Sequence, residues 1–517
     1  MQLGFIIDQS RCIGCHACTV ACKSENDVPL GNFRTWVKYT EAGEFPEVKR
    51  SFAVLRCNQC TSAPCITICP TSALYKRQDG IVDINPDHCI GCKSCMHGCP
   101  YDALYINPDK GTAQKCHFCA HRTEVGLAPA CAVVCPTEAI IPGDWDDEES
   151  PVNRFKREFD LEGRKVEAGT GPNVLYYDAG PAGLDPLLTN DGGGHLWADR
   201  HQSPQVEASQ WEKSAMDAAR EMGAEVEAMA RTTYDVPRPA LWGWRITAYL
   251  FLKSISAGLF LASVVTQTGG FARGAGTDWR AVVAPMLALA TLGGTSLLLA
   301  LDLKRPERFW MILARPNWSS WLVRGTYALI AYGLLLTVWA ALAILGSGAP
   351  AGPIYALFCV VTGLAGGLAA CYTGWLFGQA KGRVLWMQRG LWARLIVQAV
   401  TAGAATMLLF GLGGEGSSNL RYLLVGALLT MYAWQRFEHK LAPERRGVEY
   451  GRVMDLIHRG PYAKSHRLAL VVGIVIPLVL LVFGSPLLWG LAGLLALAGL
   501  LVEEDMLVRA GQALAIS

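Results

Sequence analysis

Sixteen of the eighteen cysteines fall before residue 136 in four groups of four, and this spacing limits the possible folds more than any other feature. The first and third groups read C-x2-C-x2-C-x3-C, whereas the second and fourth each lengthen one gap. Thiolates are the soft ligands that iron–sulfur clusters require, and sixteen in this pattern predict four [4Fe–4S] clusters. The groups are Cys12, Cys15, Cys18, Cys22; Cys57, Cys60, Cys65, Cys69; Cys89, Cys92, Cys95, Cys99; and Cys116, Cys119, Cys131, Cys135.

Three other uses of these cysteines fit the sequence less well. Disulfides belong to oxidising compartments, but the N-terminus shows no secretion signal and three of the groups end in Cys-Pro. Zinc sites use isolated C-x2-C pairs rather than triplets with a fourth thiolate at a fixed offset. The run Cys12–His16 satisfies the C-x-x-C-H pattern of haem attachment, but both of its cysteines belong to a complete group. We therefore expect iron–sulfur binding at all four groups.

The composition divides the chain into unlike parts. Residues 1–145 are rich in cysteine, proline and charge and contain short strand-like runs, which predicts an α+β domain. Residues 241–517 are dominated by Leu, Ala, Gly, Val and Trp, which predicts an all-α polytopic membrane bundle. Residues 146–240 contain no long apolar run, so we interpret them as a tether that packs on the first domain and includes one amphipathic helix near residues 209–231.

Eight segments of the membrane half approach the length that a bilayer requires, which is about 20 apolar residues per helix. The sixth segment is short and only Ser485-Pro486 separates the last two, so seven is an alternative count. An even number of spans places both ends of the bundle on the side of the cysteine-rich domain. The segments are 246–267, 281–301, 323–345, 353–376, 391–411, 420–435, 468–485 and 487–503.

Short stretches in both halves resemble known families. The first domain is similar to the four-cluster electron-transfer subunit of molybdopterin oxidoreductases, a family that includes DMSO and polysulfide reductases. The second half resembles the membrane anchor subunit of the NrfD/polysulfide-reductase type. In most relatives these are two polypeptides, so a single chain departs from the commonest arrangement. The stretches that carry the resemblance are Arg56–Cys65, Cys89–Cys95 and Lys115–Cys119 in the first half, and Leu301–Phe309, Arg315–Trp321 and Gly460–Tyr462 in the second.

This resemblance implies a ferredoxin-like domain of two pseudo-repeated two-cluster units, in which the first group pairs with the fourth and the second with the third. It also implies a separate catalytic subunit with a molybdenum or tungsten pterin, and it places the cluster of the third group closest to the membrane. The implied ligand sets are Cys12, Cys15, Cys18 with Cys135; Cys116, Cys119, Cys131 with Cys22; Cys57, Cys60, Cys65 with Cys99; and Cys89, Cys92, Cys95 with Cys69.

The electron partner inside the membrane is expected to be a quinone, either menaquinone or ubiquinone. The three histidines of the membrane half, His439, His458 and His466, lie in or beside one loop and are not placed to hold a haem between helices. Ionisable residues within spans are costly and are therefore functional candidates. We predict a quinone site on the cluster side of the membrane, formed by Lys253, Asp302, Arg305 and Tyr327.

Structural roles compete with this interpretation at several of these positions. Asp302 and Arg305 are close enough in sequence to form an ion pair with each other. Arg324 and Arg394, which open the third and fifth spans, fit interfacial anchors whose charged ends reach the membrane surface. Lys253 is the deepest of the candidates and the hardest to explain as structure.

The distribution of basic residues predicts the orientation. Loops on the cluster side carry most of the Lys and Arg of the membrane half, whereas the opposite side has Arg273, Arg280 and Arg421. Because basic loops stay in the cytoplasm, and because neither a Sec nor a twin-arginine signal is present, we expect a multi-pass protein of the inner membrane with its clusters in the cytoplasm. The alternative is that these basic loops dock the cluster domain.

The sequence therefore predicts an electron-transfer and membrane-anchor subunit, without a catalytic site of its own, that connects a catalytic subunit with the membrane quinone pool. No nucleic-acid partner is indicated. The main rival is an ion-translocating subunit of a quinone-linked respiratory complex, which would place ionisable residues in the far half of the membrane. Apart from Arg421, the predicted spans lack them there. A conduit to a periplasmic cytochrome would need haem ligands or a docking domain on the far side, where the loops are short.

Overall fold

The computed structural model describes residues 1–43, 46–197, 230–238, 240–266, 271, 279–345 and 353–517. The amphipathic helix expected near residues 209–231 lies outside these ranges, except that its last two residues begin a β-strand at Ala230.

Two four-stranded sheets form the framework of the first domain. In one sheet the strand order is β8 (Ile140–Asp144), β1 (Leu3–Asp8), β10 (Val174–Tyr177) and β9 (Glu162–Gly163). In the other sheet the order is β11 (Thr189–Trp197), β12 (Ala230–Asp235), β2 (Thr35–Ala42) and β3 (Lys49–Arg56). All six residues of β1 are buried, because this strand lies between antiparallel β8 and parallel β10.

Two small hairpins and several short helices fill the space between these sheets. The hairpins pair β4 (Leu74–Lys76) with β5 (Val82–Ile84), and β6 (Leu104–Ile106) with β7 (Ala113–Lys115). Five short helices contain or adjoin cysteines of the four groups: Ala17–Glu25, Pro64–Ile68, Ser94–Gly98, Ala120–Thr123 and Ala130–Val133. Further short helices of this half are Pro151–Glu158, Val166–Ala168, Pro181–Leu184 and Pro186–Leu188.

The segment interpreted as a tether contributes strands to both sheets. Strands β9 and β10 complete the sheet around β1, and β12 pairs with β2 in the other. Val174 and Tyr176 of β10 are fully buried, so alternate residues of this strand enter the core of the domain. The described part of the segment therefore packs on the cysteine-rich domain and forms part of its framework.

The membrane half is a bundle of long helices. Within the described ranges, seven helices are long and apolar enough to cross a bilayer. An eighth helix, the sixth in chain order, has 21 residues and lower hydropathy. In chain order the eight are Trp244–Thr266, Trp279–Asp302, Trp321–Ile344, Pro353–Gly378, Leu391–Leu409, Ser417–Phe437, Ala463–Phe483 and Pro486–Ala513. Shorter helices connect them at Pro306–Arg308, Met311–Ala314, Val384–Met387, Gly414–Gly416, Glu438–Lys440 and Gly447–His458.

The sixth helix extends between the same two ends of the bundle as the first and fifth helices. Near its start, Asn419 hydrogen-bonds the carbonyl of Thr266, the last residue of the first membrane helix. Just beyond its end, Glu438 contacts Arg394 in the first turn of the fifth helix. A 21-residue helix is about 31 Å long at 1.5 Å per residue, which suffices to cross. Among the described residues, the sixth helix therefore reaches both ends of the bundle beside the seven helices that are long and apolar enough to cross, and the two ends of the membrane half lie on the side of the first domain.

The first and fifth membrane helices approach each other closely at two glycines. A Cβ atom added to Gly258 would lie 1.8 Å from the Ala399 carbonyl oxygen, and one added to Gly403 would lie 1.9 Å from the Gly258 carbonyl carbon. Only glycine permits this backbone separation, because any side chain at either position would overlap the facing helix. The contact fixes the first helix, which carries Lys253, against the fifth, which carries Arg394.

Candidate functional site

The sixteen cysteine thiols gather in sets of four, each drawn from two of the sequence groups. One small cavity is lined by Cys22 together with Cys116, Cys119 and Cys131. A second small cavity is lined by Cys69 together with Cys89, Cys92 and Cys95. In both cavities three thiols come from one group and the fourth comes from another, which is the exchange expected of a two-cluster unit.

Electrostatic interactions identify the other two sets. Burial, reinforced by the like charge of nearby Cys57, raises the pKa of Cys99 to about 12. Burial also raises the pKa of Cys65 well above its ordinary value, and Cys99 and Cys57 add to this effect. Burial, followed by the like charge of Cys135 and Cys15, raises the pKa of Cys12. These neighbours correspond to the nested pairing of the first group with the fourth and the second with the third.

The donor set fits an iron–sulfur cluster. Thiolates packed this closely in a buried site repel one another and lack water, so their charged forms need a compensating cation. Backbone N–H groups also point at sulfur: Ala113 N–H donates to Cys89 Sγ at 3.3 Å and Ala139 N–H to Cys135 Sγ at 3.3 Å. The fully buried Arg56 donates to Cys131 Sγ at 3.3 Å. Such donors stabilise the negative charge of cluster ligands.

The backbone repeats the same turn in all four groups. The residue just before the second cysteine has a positive φ in every case, with values of 70° at Gly14, 45° at Gln59, 67° at Gly91 and 62° at Phe118. This left-handed turn is costly for a residue with a side chain, so its fourfold recurrence indicates a common requirement of the cysteine loops. The repetition agrees with two pseudo-repeated units.

One thiol set lies against the membrane bundle. Asn317, in the loop before the third membrane helix, donates to the carbonyl of Cys69 at 2.8 Å, and Arg308 donates to the carbonyl of Cys89 at 3.3 Å. A Cβ atom on Gly91 would lie 2.6 Å from the Cβ of Lys304, so the cysteine loop and the membrane loop meet without space for a side chain. The set of Cys69, Cys89, Cys92 and Cys95 is therefore next to the membrane domain.

The four predicted quinone residues occupy different surroundings. Lys253 lies in the interior of the bundle, where its side chain is 1% exposed and its Nζ donates to Thr373 Oγ1 at 2.6 Å. The ammonium also lies 4.9 Å from the centre of the Tyr372 ring. Tyr327 lies closer to the surface, where its ring stacks on Trp318 and its hydroxyl donates to the Leu313 carbonyl at 3.5 Å.

Asp302 and Arg305 lie at the interface with the first domain. Asp302 forms an ion pair with Lys93 at 3.0 Å, and Lys93 follows Cys92 directly in the sequence. Arg305 instead donates to the Lys110 carbonyl at 2.8 Å and pairs with Glu307 at 3.2 Å. The alternative of a mutual Asp302–Arg305 ion pair is therefore wrong: each side chain finds its partner in the domain interface or its own loop. Tyr249 connects this region with Lys253, because it lies within electrostatic reach of Asp302 and hydrogen-bonds Thr373 at 3.5 Å.

The structure also places two buried acidic residues in the bundle that sequence reasoning missed, and one of them, Glu504, is close to Lys253. Glu504 accepts a hydrogen bond from Ser254 at 3.1 Å and is fully buried. Its neighbour Glu503 pairs with Arg394 at 2.5 Å. The eighth span was expected to end at residue 503, whereas the helix continues to Ala513. The signal was the Glu-Glu-Asp run at 503–505, where acidic residues follow a long apolar stretch without a turn residue between them.

Arg394 corrects another expectation. Its side chain is 3% exposed and contacts Glu438 at 3.4 Å in addition to Glu503, so it is an interior ion-pair residue and not an anchor at the membrane surface. One turn later, Gln398 is fully buried, and neither polar atom of its amide has a hydrogen-bond partner among the described residues. By contrast, Arg324 packs over the Trp321 ring and is exposed, as an interfacial anchor would be.

Several basic residues of the cluster-side loops bind the first domain. Besides Arg305 and Arg308, Lys381 donates to the Ala168 carbonyl at 3.1 Å, and Arg383 contacts His97 at 3.3 Å. Part of the positive bias of these loops therefore serves docking. Other basic residues of the same side are exposed, namely Arg436, Lys440, Arg445 and Arg459.

The fold and the thiol sets define a class: an iron–sulfur protein joined in one chain to a multi-pass membrane domain. Comparison with protein families gives the particular assignment. Residues 233–515 match the family described as "Polysulphide reductase, NrfD", residues 48–145 match "4Fe-4S dicluster domain" and residues 3–24 match "4Fe-4S binding domain". The NrfD match covers more than half of the sequence, so this protein belongs to that family and carries 4Fe–4S-binding domains at its N-terminal end.

Curated relatives agree with this assignment. A putative iron–sulfur subunit of dimethyl sulfoxide reductase from Halobacterium salinarum is 36% identical over 270 residues, which cover 46% of this chain and 98% of the relative. A tetrathionate reductase subunit of Salmonella typhimurium is 41% identical over 36% of this chain and 76% of its own length. A polysulfide reductase chain of Wolinella succinogenes is 38% identical over 36% of this chain and 98% of its own length. The protein thus combines an iron–sulfur electron-transfer subunit with an NrfD membrane subunit.

Proposed function

We propose that this protein carries electrons between a separate catalytic subunit of the molybdenum or tungsten pterin type and a quinone in the membrane. The observation that carries the proposal is the arrangement of four thiol sets, one of which lies against the membrane helices. When bound, four [4Fe–4S] clusters would supply one-electron redox centres along the domain. Their ligands would be the sixteen cysteines in the nested sets, and the described N–H···S contacts would stabilise the negative charge.

The opposite end of the domain is suited to the catalytic subunit. Cys15, in the first group, is exposed. Apolar side chains near the first and fourth groups are also exposed, with Ile13 at 58%, Val20 at 64% and Val133 at 64%. Exposed apolar residues around a redox site are typical of a surface that another subunit covers. The name of the Halobacterium relative, an iron–sulfur subunit of a reductase, supports such a partner.

The quinone site would lie around Lys253 and Thr373, between the membrane-facing thiol set and the buried carboxylates. Lys253 Nζ would donate to a quinone carbonyl and stabilise the negative charge that forms on reduction. Quinone reduction also takes up protons, and the interior contains Glu504, Ser254 and the buried amide of Gln398 as polar groups that water can link. Asp302 would contribute indirectly, because its ion pair with Lys93 holds the third cysteine group against the bundle. Arg305 and Tyr327 would line the entrance from the membrane surface.

The cluster domain would face the cytoplasm, with the bundle in the inner membrane. The exposed basic residues of the cluster-side loops support this orientation, because docking does not account for them. Protease treatment of sealed right-side-out vesicles should leave the cluster domain intact, and cleavage in these vesicles would reverse the assignment. Ion translocation is less well supported, because the charged residues in the far half of the eight long helices, as far as these are described, are Arg280 and Arg421, both near helix ends.

The central test is purification of the protein from its native membrane. A catalytic subunit that contains a pterin-bound metal should copurify, and the purified complex should exchange electrons with a short-chain quinone. A protein that purifies alone and exchanges no electrons with quinones would contradict the proposal.

A further inference from the structure

Two histidines and a glutamate converge at the cluster-side surface of the bundle, outside the proposed quinone site. Glu438 follows the sixth membrane helix, His458 ends the helix Gly447–His458, and His466 lies in the first turn of the seventh membrane helix. One potential ligand atom from each lies within 4.8 Å of the other two. We propose that these three residues form a binding site for a divalent cation of the zinc type.

The orientation of His458 makes its Nε2 available as a metal ligand. Its Nδ1 lies 3.0 Å from the Met454 carbonyl oxygen, and since that oxygen only accepts, Nδ1 carries the hydrogen. In the neutral ring the lone pair is then on Nε2, which faces Glu438 Oε1 at 3.5 Å. Two electron-rich atoms then face each other, and a proton or a metal ion between them stabilises the arrangement. Fixing of Nδ1–H by a backbone carbonyl is also how metal-binding histidines are commonly oriented.

His466 provides the second imidazole. Its ring lies 4.7 Å from that of His458, centre to centre, and the two planes are inclined by 83°. Its Nδ1 is buried and has no hydrogen-bond partner among the described residues, although buried imidazole nitrogens are normally paired. A metal ion bound through this nitrogen would satisfy it.

The nearby positive charge does not prevent cation binding. Arg394 contacts the other carboxylate oxygen, Glu438 Oε2, at 3.4 Å, and it has a closer partner in Glu503 at 2.5 Å. Oε1 therefore remains directed at the histidines. Two imidazoles with one carboxylate favour zinc-like ions over calcium or magnesium, which prefer oxygen ligands. Three protein ligands leave one position for water, and the partial exposure of His458 gives the ion access from solvent.

Zinc binding to the cluster-loaded full-length protein in detergent tests the proposal. After treatment with a chelator, the protein should bind one zinc ion per chain in equilibrium dialysis, and zinc X-ray absorption should show nitrogen and oxygen neighbours at about 2.0–2.1 Å. His466→Ala and His458→Ala should each weaken binding at least tenfold, as loss of a ligand is more severe than loss of its hydrogen-bond partner. Iron content of each variant verifies that the protein remains folded and loaded.

His439→Ala is the matched control. His439 belongs to the same loop and directly follows Glu438, but it is exposed and is not one of the three residues of the proposed zinc site. Zinc affinity should therefore be unchanged in this variant. Equal affinity in the wild type and the His458→Ala/His466→Ala double variant would overturn the proposal. A sulfur shell at about 2.3 Å would also do so, because it would assign the zinc to cysteines.

Discussion

Replacement of Lys253 by methionine tests the quinone site most directly. Methionine keeps nearly the same length but removes the ammonium, which donates to Thr373 at 2.6 Å in a site that is 1% exposed. Loss of one preorganised donor to a developing negative charge slows turnover about 100- to 1,000-fold, or about 2.7–4 kcal/mol. We therefore expect quinone-dependent turnover of the complex to fall by this factor. Activity with a redox dye that exchanges electrons with the clusters should survive.

A paired variant separates this effect from a loss of stability. Glu504 lies near enough to Lys253 for their charges to interact, so Lys253→Met leaves a buried carboxylate without its nearest cation. An uncompensated buried charge destabilises a protein by about 3–5 kcal/mol. The Lys253→Met/Glu504→Gln double variant removes both charges and should restore thermal stability without restoring quinone turnover. If the double variant regains quinone turnover, Lys253 is structural and the reasoning fails. Equal loss of quinone and dye activities in the single variant would indicate a folding defect.

Three further predictions concern the clusters and their contact with the membrane. Iron and acid-labile sulfide should each approach about sixteen per chain, and chemical analysis near eight would mean that two thiol sets hold something else. Cys92→Ser should abolish quinone turnover while the protein still inserts in the membrane, and a normal rate of quinone turnover would contradict the assignment of the membrane-facing set. Reversing the charge at Lys93 with Lys93→Asp should weaken docking of the cluster domain on the membrane bundle, and increased proteolysis of that domain measures this loss. Adding Asp302→Lys should restore protection, because the ion pair then forms again with its charges exchanged. No rescue would show that this ion pair does not hold the domains together.

The cysteine sites were readable from the sequence because their ligands are local. The first three cysteines of each group lie close together in the sequence and define three of the four ligands of each site. The fourth ligand, which comes from another group, was assigned by resemblance to a known family. The membrane helices were also readable, since apolar composition over about 20 residues is a strong signal. The contact partners of individual side chains could not be predicted from the sequence. Asp302 pairs with Lys93, which is 209 positions away in the chain. The pattern of apolar and polar residues within either segment does not predict such a contact.

The buried acids illustrate a different limit. Glu503 and Glu504 continue a helix whose apolar part ends just before them, so a prediction from hydropathy ends the span where the buried acidic residues begin. Their burial depends on Arg394 and Ser254 from two other helices, which the sequence alone does not bring together. The strands β9, β10 and β12 were missed for a related reason. They are short, and they are stable because they complete sheets begun by β1 and β2.

Cluster binding and membrane docking use opposite faces of the same backbone. In the loop that begins at Cys89, the backbone N–H of Gly91 is directed at the Cys89 sulfur, while the carbonyls of Ile90 and Gly91 accept hydrogen bonds from backbone N–H groups of the loop after the second membrane helix. A peptide whose N–H turns inward to a negatively charged cluster necessarily turns its C=O outward, which leaves a row of acceptors on the surface of the domain. The membrane half meets that row with donors, among them Asn317 and Arg308. Because the left-handed turn at Gly91 creates this arrangement, the geometry that holds the cluster also positions it against the bundle, and a cysteine loop that loses its cluster should lose its docking surface as well.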